Sequence, residues 1–117
     1  MNTPLAPRPE MKQQLRSWRH DLHRHPELGF KEERTAAKVA DLLTSFGLEV
    51  HRGIGGTGVV GVLKRGGGNG MIGLRADMDA LAIQEENDFD HASTRPGQMH
   101  ACGHDGHTAM LLGGARL

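Results

Sequence analysis

Met11, Leu15, Trp18 and Leu22 recur at spacings of four, three and four residues. That spacing puts them on one stripe of a helix, and Pro26 closes it. A second helix is expected from about Lys31 to Phe46, with Ala36, Val39, Ala40, Leu43 and Phe46 on its inner face. Glu32 and Glu33 suit the start of that helix, where the backbone dipole favours negative charge, and Gly47 suits its C-cap. "LEVHR" then reads as a short strand. "TGVVGVLKR" and "MIGLRADMD" are rich in aliphatic and β-branched residues and are separated by "GGGNG", so they read as two further strands joined by a flexible turn. From Gln84 to His104 the chain is polar and carries Pro and Gly, which marks a long loop, and "HTAMLLGGARL" opens another helix. The order expected is helix, helix, strand, strand, strand, loop, helix, in an α/β class. Residues 1–10, punctuated by proline, are expected to be a mobile start, with residues 11–117 forming the folded part.

Size and charge narrow the picture. The 117 residues suit one small domain or part of one, and 37% hydrophobic content with 17 glycines is globular rather than disordered. Lys plus Arg equal Asp plus Glu at 14 each, so no basic field exists to gather nucleic-acid phosphates or anionic lipid. A single cysteine forms no internal disulfide, "MNTPLAPRPEMKQQ" lacks a signal-peptide core, and no apolar run approaches a membrane span. The expectation is a soluble cytoplasmic chain with no nucleic-acid or membrane partner.

The chemistry gathers near the end. "GIGGTG" satisfies the GxGxxG pattern, yet it leads into a strand and more glycines instead of the helix that would hold a pyrophosphate, so a turn between strands is the better reading. Asp77 and Asp79 stand where an apolar segment runs out, two residues apart and so on one side of an extended chain. They suit a metal, an imidazole partner or the Asp-x-Asp of a haloacid-dehalogenase phosphatase, although Leu81 departs from that last pattern; a solvated turn is the alternative. In "MHACGHDGHT", Cys102 and His104 flank Gly103, so thiolate and imidazole can converge on one cation. His100 and His107 flank the pair. Asp105 reads equally as a site residue and as the N-cap of the final helix. A nucleophilic Cys102 activated by His100 or His104 has no supporting feature, and no Gly-x-Ser-x-Gly elbow is present. His20, His23 and His25 read as a solvated helix end, with a place beside the site as the alternative. A small non-catalytic zinc domain built on Cys102, His104 and His107, with Asp77 or Asp79, is the competing interpretation of the whole cluster.

Three blocks, "RHDLHRHPELGFKEERTA", "GLRADMDALAI" and "EENDFDHASTRPGQMHACGHDGHTAMLLGGA", resemble in this order the signature blocks of the M20 metallopeptidases, in the subfamily of hippurate, N-acyl-amino-acid and indoleacetyl-amino-acid hydrolases. The resemblance runs from about Met11 to Leu117. It implies a cytosolic, homo-oligomeric amidohydrolase that removes an acyl group from an amino acid with two divalent cations (zinc, manganese, cobalt or nickel) in an α/β catalytic domain carrying an inserted dimerisation domain. Carried over by position, Cys102 and His104 match family metal ligands. Asp79 matches an acid that supports the site, and with Asp77 it is the candidate catalytic acid. Arg75, His100, Asp105 and His107 lie in the same blocks with open or supporting roles. Ala82 stands where the family's "DALPI" has proline. Family members continue several-fold further, with a Glu-Glu pair and two more histidine ligands, so the resemblance implies the N-terminal portion of such an enzyme, inactive by itself.

Overall fold

The computed structural model describes residues 8–117. Helix α1 runs Pro9–Arg24, α2 Glu33–Ser45 and α3 His104–Arg116; strands β1, Glu49–Ile54, and β2, Gly58–Val62, stand between α2 and α3 in sequence. The expected mobile start falls largely on residues 1–7, outside the described residues, but Pro9 and Glu10 are already helical. Proline is suited to a first helical turn because the missing N–H has no acceptor there.

The apolar stripes meet as their spacing requires. Trp18, Val39, Leu43, Ala109 and Leu112 form the buried centre, one or two from each helix, with Leu15, Leu42, Phe46, Leu48, Val50 and Val59 packed around it. Helix α1 packs on α3, while α2 lies across both the hairpin and α3. Trp18 and Phe46 tie the first two helices together, their ring centroids 5.8 Å apart. Helix α2 ends in a Schellman arrangement: Gly47 N–H donates to Thr44 O at 3.0 Å and Leu48 N–H to Leu43 O at 3.2 Å.

Strands β1 and β2 pair antiparallel from Glu49 opposite Val62 to Ile54 opposite Gly58, with an irregularity between Arg52 and Ile54. "GIGGTG" is the turn of this hairpin. Gly53, Gly55 and Gly56 all have positive φ (74°, 65° and 111°), a region closed to most side chains, which is why the glycines make a turn and not a phosphate cradle.

The third expected strand is not formed. Residues 71–79 have no ladder partner; only isolated bridges come after them, Leu28 with Ala80 and Leu81 with Met99. Strand pairing needs a neighbour along its edge, and β2 is paired to β1 instead. The aliphatic side chains that suggested a strand, Met71, Ile72 and Leu74, are 85%, 86% and 76% exposed. Among the described residues no helix is long and apolar enough to cross a membrane.

Candidate metal centre

The N-terminus of α3 and the segment 75–80 form the site. Gly103 precedes the helix with φ 87°, a left-handed conformation that turns the chain sharply between Cys102 and His104. Cys102 is exposed. His104 and Thr108, four residues apart on one face of α3, hold the segment 77–79 from both ends: His104 Nδ1 lies 2.9 Å from Asp79 Oδ1 and 3.1 Å from Asp79 O, and Thr108 Oγ1 donates to Asp77 O at 3.0 Å. An ionised carboxylate only accepts, so Nδ1 carries the hydrogen and the Nε2 lone pair is left for a ligand. Asp77 faces the same ring, its Oδ2 4.0 Å from His104 Nε2, and pairs with the exposed Arg75 on its other side.

The other predicted residues divide. His107 is exposed, its ring centroid 5.9 Å from that of His104. His100 is buried, and neither ring nitrogen has a hydrogen-bond partner among the described residues. Burial pushes its imidazole below the ordinary value, and the nearby Asp105 pulls the other way without reversing this. Asp105 is not the cap of α3. It lies inside the first turn, makes no capping bond, and accepts from His23 Nδ1 at 2.9 Å with Arg19 Nε 3.5 Å away.

Glu85 and Glu27 were not singled out from the sequence, and His23 takes the alternative open to it, a place beside the site. His23 is 4% exposed, not part of a solvated helix end, and its Nε2 lies 3.1 Å from both Glu85 oxygens. Glu85 further accepts from Ser93 N–H at 2.8 Å and Asn87 Nδ2 at 3.0 Å. Burial pushes its carboxyl up, but these donors and His23 outweigh that and hold it below the usual range. Glu27 supplies the missing cap of α2, accepting from Thr35 N–H at 2.6 Å and Arg34 N–H at 3.1 Å. Its own carbonyl takes Ala80 N–H at 2.8 Å, so one residue anchors both α2 and the end of the Asp77–Asp79 segment.

Among the described residues, no group of three or more His, Cys, Asp or Glu side chains is arranged to hold a metal. The donors present fit part of a divalent site: one oriented imidazole, one exposed thiol and two carboxylates beside them. The self-contained zinc domain gains no support from this geometry.

The profile of Peptidase family M20/M25/M40 matches residues 73–117, the segment carrying all these candidate donors. An N-acyl-L-amino acid amidohydrolase of Geobacillus stearothermophilus is 52% identical over 109 residues, covering 92% of this chain and 29% of that protein. A hippurate hydrolase of Campylobacter jejuni is 57% identical over 94 residues, covering 80% and 24%. The crystal structure of Bacillus subtilis YXEP protein, described as a dinuclear metal binding peptidase from the M20 family, superposes with a TM-score of 0.87 at 41% identity, covering 92% of this chain and 30% of that one. The chain belongs to the M20 peptidase family. It spans less than a third of the length of these M20 relatives, and the α/β arrangement of helices and hairpin is that of the M20 fold over the shared part.

Proposed function

We propose that residues 11–117 are the N-terminal portion of an M20 catalytic domain whose whole enzyme hydrolyses the amide bond of N-acyl amino acids, of the hippurate or acetyl-amino-acid kind. The observation that carries this is the Asp79–His104 hydrogen bond of 2.9 Å, which fixes one imidazole in its ligand tautomer beside the exposed Cys102 thiol. The names of the relatives support the substrate class, and the dinuclear description of the YXEP protein supports two divalent cations.

In this reading Cys102 and His104 hold metal, and the chemistry supplied by the bound cations is polarisation of the amide carbonyl and acidification of the attacking water. Asp79 orients His104. Asp77, 4.0 Å from Nε2, is the carboxylate nearest the open side of that ring and is assigned to the reacting groups. Arg75 holds the Asp77 carboxylate from the solvent side. Zinc, cobalt and nickel suit the thiolate and imidazole, and manganese suits the carboxylates beside them. We place the enzyme in the cytoplasm as a homo-oligomer, with Cys102 serving as a ligand and with neither nucleic acid nor membrane as partner. The 117 residues alone offer too few donors for hydrolysis and are expected to bind divalent metal weakly and to be inert.

A chimaera tests the reading: residues 9–117 replace the matching segment of the Geobacillus amidohydrolase. Hydrolysis of N-acyl amino acids, abolished by Cys102→Ser, is expected. A folded, metal-loaded chimaera that leaves these substrates intact would overturn the assignment, and Cys102-dependent hydrolysis by the 117-residue chain alone would overturn its inertness.

A further inference from the structure

We propose that His23 is a positioning residue that holds the Cys102–His104 loop in its metal-binding conformation; the proposal rests on the metal-site reading above. His23 comes from the last turn of α1 and is pinned between two carboxylates from different segments, Asp105 at 2.9 Å on Nδ1 and Glu85 at 3.1 Å on Nε2. The three side chains are 5%, 3% and 2% exposed. Asp105 directly follows the candidate ligand His104 in the first turn of α3. Glu85 begins the long loop and gathers it through Ser93 and Asn87. One imidazole therefore joins α1, the loop and the start of α3.

Asp79 and Thr108 tie the start of α3 to the segment 77–79, and His23 ties it to α1 and the long loop. Gly103, the residue before α3, is left-handed and supplies no side-chain cap, so the approach of the chain through Cys102 depends on contacts made by the first turn of α3 and by the loop. His23 presents one ring nitrogen to each acid, so a single side chain spans both. Without it, two buried carboxylates face one another with only the half-exposed Arg19 near Asp105, and buried unpaired charge drives segments apart. A metal site tolerates little such movement, because its donors must converge within a few tenths of an ångström. Phe89 and His91 pack on the His23 ring at centroid distances of 5.9 and 5.6 Å.

The test is a Co(II) titration of the 117-residue chain, read by the thiolate-to-Co(II) absorption band, for wild type, Cys102→Ser, His23→Gln, Glu85→Gln and Phe46→Leu. Glutamine has one donor and one acceptor end, so it cannot donate to both acids. His23→Gln is expected to weaken Co(II) binding about 10-fold and to reduce the band, with helical content retained. Phe46→Leu, which loosens the core away from the loop, is expected to lower the melting temperature while leaving binding and band unchanged. An unchanged band and affinity in a folded His23→Gln chain would overturn the proposal, as would equal weakening in Phe46→Leu. Should His23→Gln not fold, Glu85→Gln decides: several-fold weaker Co(II) binding supports the clamp, and unaltered binding overturns it. A wild-type chain without any Cys102-dependent band would instead overturn the metal-site reading itself.

Discussion

Asp79 accepts a hydrogen bond from His104 Nδ1 at 2.9 Å, and among the described residues no other side chain bonds to that nitrogen. Groups that orient a ligating imidazole raise its basicity and fix its tautomer. Asp79→Ala is therefore expected to reduce divalent-metal affinity by about 10- to 100-fold with little change in the far-ultraviolet dichroism. Calorimetric titration with zinc or cobalt checks this; wild-type affinity in the variant would remove Asp79 from the site.

Glu27 caps α2 from outside the helix, its carboxylate receiving the backbone N–H groups of Thr35 and Arg34. Burial pushes its carboxyl up, but the Thr35 and Arg34 bonds and the charge of Arg95 outweigh this and leave it below the ordinary 4.5. A depressed carboxyl contributes stability that is fully present above the unfolded value and is lost as pH falls through the folded one. Glu27→Gln should cost about 1–2 kcal/mol at neutral pH. Urea melts across the acid range should show the gap between the two proteins closing as the pH drops below the ordinary carboxyl value, and a pH-independent gap would contradict the charge-assisted cap.

His20 and His91 stack face to face, centroids 3.7 Å apart and planes within 3°, and Phe89 continues the stack at 3.9 Å. Both imidazoles are held below the ordinary 6.5, first by burial, then by a neighbouring histidine (His91 for His20, His23 for His91) and by Arg19 and Arg24. Stability from the stack is present above that value and declines as pH falls through the lowered folded values. His91→Phe keeps a ring between Phe89 and His20 without a second charge, and should flatten this part of the stability profile. An identical profile in the variant would show that the stack does not titrate with folding.

Phe30 has φ 66° and is 85% exposed. It stands third in a turn closed by Lys31 N–H to Leu28 O at 2.9 Å, the position glycine usually takes when φ is positive. Such a conformation costs a bulky residue about 1–3 kcal/mol, and the added chain freedom of glycine offsets about 0.5–1. Phe30→Gly is expected to raise the melting temperature of the 117-residue chain, and a lowered one would mean that the exposed ring contributes packing.

The amphipathic spacing of Trp18, Val39 and Leu43 was enough to define α1, α2 and their shared core, because a periodic apolar stripe has one stable use. Cys102 and His104 could be named as candidate donors from the sequence, since two such side chains flanking a glycine carry their chemistry in local order. The M20 signature blocks extended that reading to Asp77 and Asp79. Their meeting with His104 was only implied, as the separation of 25 positions between Asp79 and His104 leaves their distance open to the fold.

Tertiary structure decided the rest. Residues 71–79 have the composition of a strand, but hydrogen-bonded pairing is a property of two segments, and no partner runs beside them among the described residues. Asp105 matches a cap in its local sequence, yet it turns inward because α1 brings His23 to it across 82 residues. His23 itself read as solvated because a histidine near a helix end carries no local mark of burial. Periodicity and donor chemistry are written in neighbouring residues and so were determined by the sequence alone. Which buried charges meet depends on how the helices dock, and only the folded chain settles that.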